Sequence, residues 1–345
     1  MSTRHASARR FRLSSLPNSI FAFLLVFFIA SLWVPRFFTP GNLSSLLLQS
    51  SIMIILSVAM ALVIIAGGID LSMGGVLSMS GVIMALCMRG GMHSLAAIGI
   101  GLACGALFGL LNGLIVTRLR VPPFIATFGS MGIAQSLANT LSARRTIYWD
   151  SGSHSQLMDL LKGDVVGVEL GSGSSMVFFI PFLVVLAAVV VGCILFLFKR
   201  TVLGAYVHAI GENEEVARLS GIATKSWITL LYVISGAMAG FAGLLMLIRT
   251  NSMQPTSGEW LEFIAVVAAV LGGNALEGGK GSLVGAIFGA LTLYMVRNAL
   301  ALKGIDTSAT MVVIGGVLVI GMLLNALATR HEKKLSAIAG TENAP

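Results

Sequence analysis

Charge is what this sequence has least of: Asp, Glu, Lys and Arg make up 10% of its 345 residues, against about a quarter in soluble domains. A water-facing globular surface cannot be built from so little. Cysteine is scarce too. Cys87, Cys104 and Cys193 fall within apolar runs without metal-ligand spacing, where buried fillers are expected. Catalytic signatures are missing: there is no H-E-x-x-H, no paired-Cys motif and no G-x-S-x-G, and His93, His154 and His208 stand apart from one another. Lys280 in GGKGS does not make a phosphate-binding loop, because Gly281 follows it and Asn274 stands where the first Gly belongs. No enzyme is legible. The net charge of +8 comes from basic residues spread over loops and a short N-terminal arm, with no basic stripe of the kind nucleic acid requires.

What is present in excess is apolar: 56% of residues are hydrophobic, 40 are Gly, and the mean hydropathy is +0.94. About 20 apolar residues span a bilayer core. On that rule the sequence predicts an all-α polytopic membrane protein with ten spans, near 17–34, 44–66, 71–88, 94–116, 121–141, 176–198, 226–248, 260–274, 282–300 and 308–329. They form one integral domain, 17–329, between an arm at 1–16 and a tail at 330–345. The basic arm resembles the opening of a signal peptide, but no small-residue cleavage site follows and further spans do, so the first span is retained. The eighth span is short enough to be re-entrant.

With the N-terminus inside, inner segments carry fourteen of the 22 Lys and Arg residues. The positive-inside rule therefore predicts both termini in the cytoplasm. Gly101, Gly105, Gly109 and Gly113 recur every four residues, as do Gly281, Gly285 and Gly289, which predicts close helix contacts. Two expected inner turns, GGIDLSMGG at 67–75 and GGNALEGG at 272–279, echo one another and hint at an internal repeat.

Several polar positions carry two readings each. Asp70, between Gly67-Gly68 and the third span, is either a helix N-cap or a functional carboxylate at bilayer depth. Glu262, near the outer mouth of span eight, is an interfacial ion-pair or snorkelling group, or part of a pathway. The outer loop 142–175, with Arg144, Arg145, Trp149 and Asp150, is a solvated loop or, together with Arg36 and Arg249, a landing site for a partner. The most informative stretch is the charged island 199–225. It predicts a short helix at 213–220 with Glu212, Glu214, Glu215 and Arg218 facing water and Gly221 closing it, an element suited to docking.

Four segments carry a resemblance: IIAGGIDLSMGG at 64–75, GLLNGLIVTRLRVPPFIATFGSMGI at 109–133, TVLGAYVHAIGENEEVARLSGI at 201–222 and VLGGNALEGGKGSLVGAIFGAL at 270–291. In this order, over about residues 17–329, the chain resembles the permease subunits of bacterial ABC importers for ribose and other simple sugars, and more distantly the branched-chain amino-acid permeases. The resemblance implies a vitamin-B12-importer-like (type II importer) fold in the inner membrane. It implies a second permease subunit, identical or not, two cytoplasmic ATPases that bind the ATP and Mg, and a periplasmic sugar-binding protein. This chain itself would hold no cofactor. The coupling role in the ATPase cleft carries over to Gly211, Glu212, Asn213, Glu214, Glu215, Ala217, Arg218 and Gly221. Glu277 stands where an aromatic is common in such permeases, and Glu212 where Gly is frequent.

On this reading selectivity sits mostly in the binding protein, and a few polar groups such as Asp70, Asn112, Thr127 and Asn139 suffice for a pathway. The rival is an ion-coupled secondary transporter, which needs paired carboxylates or a His relay in span centres. The sequence places none there.

Overall fold

The computed structural model describes residues 18–149, 160–161, 163–169 and 177–306, together with 309–310, 312 and 315–316. Among them are eleven helices: α1 Asn18–Trp33, α2 Pro40–Ile65, α3 Met73–Arg89, α4 Ser94–Arg118, α5 Pro123–Leu141, α6 Phe182–Arg200, α7 Val202–Glu212, α8 Glu214–Leu219, α9 Thr224–Thr250, α10 Leu261–Leu271 and α11 Leu283–Leu302. Nine of them fall on nine of the ten expected spans. The tenth, 308–329, lies outside the described residues except at isolated positions, as do the arm 1–16 and the tail 330–345. Five helices, α2, α4, α6, α9 and α11, are long and apolar enough to cross a membrane, and α1, α3 and α10 are apolar but shorter. The chain is a mostly helical multi-span membrane protein.

The all-α expectation needs one correction. Strand β1 Ile147–Tyr148 pairs antiparallel with β4 Ser252–Met253, and β2 Asp164–Glu169 pairs antiparallel with β3 Val177–Pro181. These strands lie in loops, where backbone groups leave the helical ladder and still need partners. β3 takes the start of the expected 176–198 span, so α6 begins only after Pro181.

Small residues set the packing. α4 and α9 run antiparallel with backbones in contact: Gly101 faces Gly240, Gly105 faces Gly236, Gly109 meets the Tyr232 carbonyl and Gly113 meets Thr229. Gly285 and Gly289 of α11 sit likewise on the carbonyls of Gly272 and Ala268. Where lipid is as apolar as Leu, such close approach is what holds helices together. α2 is enclosed by this assembly, its residues from Ser50 to Ile65 almost all buried. α1, α4, α5 and α6 keep large apolar side chains exposed, among them Leu25, Leu107, Ile133 and Phe196, as lipid-facing helices do. Cys193 on α6 is one of these exposed positions, against the expectation of burial, while Cys87 and Cys104 are half-buried.

The bundle has two ends. The near face carries α7 and α8, the C-terminal ends of α2 and α4 and the start of α9; the far face carries the ends of α5 and α9 and the β1–β4 pair. α10 does not cross between them alone. Its 11 residues reach about 16 Å at 1.5 Å per residue, roughly half a hydrocarbon core. The segment before it enters the bundle as irregular chain, where the Gly258 N–H donates to Ser78 Oγ at 2.8 Å. Pro255 and Gly258 of this segment are buried, while Gln254, Thr256, Glu259 and Trp260 are exposed.

Candidate functional site

The island folds as two helices rather than the single short one expected. Asn213, in an extended conformation, ends α7 and starts α8, and its Oδ1 accepts the Val216 N–H at 3.0 Å. This side-chain bond replaces one of the backbone partners missing at a helix start. Glu214 and Glu215 fill the first turn of α8, where the helix dipole favours carboxylates. Arg218 pairs with Glu215 at 2.5 Å, and this hydrogen bond holds the Glu215 carboxyl below its ordinary range. Gly221 takes φ +88°, the left-handed geometry that lets the chain leave α8 for α9. Ala217 is the buried contact of α8; Glu212, Asn213, Glu214, Glu215 and Arg218 are exposed.

The island is fastened to both echoing turns. Gly211 lies against the Ile65 carbonyl at the end of α2 and against Gly279; Gly278, at φ +88°, lies against Gly211 and Gly67. The Gly279 N–H donates to the Ile65 carbonyl at 2.8 Å. His208 Nδ1 donates to the Gly279 carbonyl at 2.8 Å, while its ring packs edge-on to Phe198. Sequence reasoning set His208 aside as an isolated histidine; its place in the 201–222 motif was the available signal. Glu277 and Glu212, the two departures from the resemblance, are both exposed here, Glu212 directly beside Gly279.

Three of the four polar residues suggested for a pathway meet in one buried network. Asp70 Oδ1 accepts from the Ser72 N–H at 3.0 Å and from Ser72 Oγ at 2.5 Å; its Oδ2 accepts from Ser235 Oγ at 2.5 Å. Asn112 Nδ2 donates to Ser72 Oγ at 2.8 Å. Thr127 Oγ1 accepts the Leu71 N–H at 3.1 Å and donates to the Pro123 carbonyl at 2.8 Å. Asp70, Asn112 and Thr127 are wholly buried. The cap of α3 is Ser72, not Asp70; Asp70 instead ties the turn to the middle of α9. Asn139 lies apart, half-buried on α5.

Between this network and the island a cavity of about 550 Å³ opens to the near face, lined by Gly67, Arg120, Pro122, Glu214, Lys225 and Tyr232 among others. Of the four arginines suggested for docking, Arg36, Arg144 and Arg145 are exposed on the far face. Arg249, at the far end of α9, is half-buried and shares a cavity of about 330 Å³ with Arg297 and Tyr294. Asp150 and residues 151–159, 162 and 170–176 of the expected outer loop lie outside the described residues.

Residues 42–322 match the family model described as the branched-chain amino acid transport system / permease component. The chain belongs to this permease family. The permease is 34% identical to the ribose import permease protein RbsC of Escherichia coli (strain K12), over 94% of this chain and 99% of that one. It is 32% identical to the fructose import permease protein FrcC of Rhizobium meliloti, over 84% and 79% of the two chains. With the D-allose transport system permease protein AlsC of Escherichia coli (strain K12) it shares 29% identity, over 89% and 90%. No solved structure matches it. As a member of this family the permease is a transport component rather than an enzyme.

Proposed function

We propose that this permease is the membrane subunit of an ATP-driven bacterial importer for a monosaccharide, in the inner membrane with both termini in the cytoplasm. What carries the reading is the end-to-end similarity to a permease named for ribose import, together with relatives named for fructose and D-allose. The near face is then cytoplasmic. α7 and α8 form the coupling element, with Gly211, Glu212, Asn213, Glu214, Glu215, Ala217, Arg218 and Gly221 as the residues that engage the ATPase, which holds the ATP and Mg. The exposed acids Glu212, Glu214, Glu215 and Glu277 suit a basic cleft on that partner.

The fold on this reading is the ten-span, vitamin-B12-importer-like one, paired with a second permease subunit. Arg36, Arg144, Arg145 and Arg249 would meet an acidic rim on the periplasmic binding protein. Force on α7 reaches the bundle at the Gly211, Ile65 and Gly279 contact, where backbone meets backbone and no soft side chain intervenes. Rocking of packed helices around that contact opens the bundle alternately to each side.

The ion-coupled rival needs paired carboxylates; Asp70 and Glu262 are both buried, but no hydrogen bond joins them among the described residues. One experiment separates the two. The chain is extracted gently from its native membrane and its companions identified by mass spectrometry, beside a Glu214→Arg, Glu215→Arg double variant. The expected result is an ATPase that copurifies with the wild type and is lost from the variant. Solute movement by the chain alone, without ATP, overturns the importer reading.

A further inference from the structure

Glu262 is expected from the sequence at the outer mouth of a span, either paired or snorkelling or as part of a pathway. It is 4% exposed and makes no ion pair among the described residues. The cause is the packing of Gly258 on Gly74 and Ser78, which brings the start of α10 against α3. Glu262 Oε2 lies against Gly74, where a Cβ would collide with it. Gly74 is only four residues beyond Asp70, whose carboxylate is held by Ser235 in the middle of the 27-residue α9. Glu262 Oε2 has no hydrogen-bond partner among the described residues. An ionisable group buried within a membrane bundle, and only part-satisfied, marks a pathway more often than a strut.

A cavity of about 540 Å³ lies beside it, between α5 and the start of α10. Its walls combine aromatic rings, Phe128, Trp260 and Phe263, with the polar groups Gln135, Asn139 and Glu262. Trp260 is held at φ +69° and is 63% exposed, its ring 5.8 Å from that of Phe263. Gln135 spends one N–H on the Pro255 carbonyl and Asn139 one on the Gln135 carbonyl, at 2.7 and 3.0 Å. Both amide oxygens stay without a partner among the described residues. The contrast with Asp70 and Thr127 is chemical: their oxygens are engaged by protein partners, whereas these groups, like Asn112 Oδ1 among the described residues, have capacity left.

We propose that this cleft is the site where the permease briefly holds the transported ring, a neutral polyhydroxylated one. Trp260 supplies an apolar face for the C–H side of the ring, while the amide oxygens of Gln135 and Asn139 and the Glu262 carboxylate accept from its hydroxyls. Flat aromatic surface beside a few fixed polar groups is how small-molecule pockets of this size set orientation. A discontinuous helix that begins at mid-depth is the usual setting for such a site in transporters. The proposal rests on the sugar-import reading and adds the residues that meet the sugar.

The test is uptake of radiolabelled D-ribose, D-allose and D-fructose by cells whose chromosomal copy carries Asn139→Ala, Trp260→Ala, Trp260→Phe or Glu262→Gln, with membrane level and ATPase copurification measured alongside. Wild-type cells are expected to take up at least one of the three through this chain. Asn139→Ala and Trp260→Ala should cut that uptake at least tenfold at unchanged membrane level. Trp260→Phe, which keeps a stacking face, and Glu262→Gln, which keeps an acceptor, should retain most of it. Wild-type uptake with undiminished Asn139→Ala and Trp260→Ala variants overturns the site and leaves the import reading standing. Uptake that falls only as membrane level falls, or that is abolished by Glu262→Gln alone, overturns the site too. If deleting the chain changes uptake of none of the three sugars, the import reading and the site fall together.

Discussion

The Gly279 N–H donates to the carbonyl of Ile65 at 2.8 Å, joining the turn after α10 to the end of α2. Gly211 of α7 closes over that bond so tightly that a Cβ there would collide with the Ile65 carbonyl and come within 2.5 Å of the Gly279 nitrogen. Three segments distant in sequence thus meet backbone to backbone at the near face.

Gly211→Ala forces these backbones apart. Overpacking of this kind costs about 1–3 kcal/mol, and neither neighbour is a side chain that can swing away. The expected outcome is a lowered melting temperature in detergent and loss of the ATPase stimulation that transported sugar produces, even in preparations where the ATPase still copurifies. Unchanged stimulation would show that force does not travel through this contact.

Asp70 is expected to matter for assembly rather than for passage. Asp70→Ala leaves the Ser72 and Ser235 hydroxyls and the Ser72 N–H facing an empty buried space. Each unsatisfied buried group costs about 1–3 kcal/mol, so little folded protein should reach the membrane. Ser235→Ala removes one donor of three and should lower the melting temperature measurably while leaving the permease assembled. Immunoblots of membranes and thermal unfolding in detergent check both.

Asn213→Ala removes the side-chain acceptor that starts α8. A lost cap costs about 1 kcal/mol, so amide exchange in residues 214–219 should accelerate about fivefold by hydrogen-exchange mass spectrometry, with Asn213→Asp near wild type. The Glu215–Arg218 pair adds a pH dependence. The Glu215 carboxyl is held below its ordinary range in the folded helix, so the pair's contribution is present above that range and is lost only as pH falls through the lowered value. Both side chains are exposed, so salt should weaken the effect.

The exposed far-face arginines predict a salt-sensitive landing surface. The double variant Arg144→Glu, Arg145→Glu should weaken binding of the sugar-loaded binding protein to permease in nanodiscs about tenfold or more at low ionic strength. The difference should shrink as salt screens the charges. Surface plasmon resonance over a salt series measures it; equal affinities at low salt would remove these arginines from the interface.

Span positions, the glycine seams of α4 and α11 and the charged island were legible in the sequence, because each follows from local rules: apolar length, four-residue spacing and a break in hydropathy. The carboxylates were not. Glu259 and Glu262 stand three residues apart at the expected outer end of a span, yet one is exposed and the other buried. Asp70, Asn112 and Thr127, chosen only as polar residues within apolar surroundings, proved to share a network that no spacing rule predicts.

By itself the sequence determined that this protein is a multi-span membrane protein with a short, exposed, charged helical segment between apolar stretches. Those conclusions follow from composition and from short-range pattern, where each residue's preference acts on its own neighbours. Only the tertiary structure decided that Gly258 packs on α3, that Glu262 lines an aromatic cleft beside α5, and that Gly211 clamps two turns together. These relations depend on which helices pack, and in lipid that is decided by the fit of small residues between distant segments. Such fit has no period along the chain.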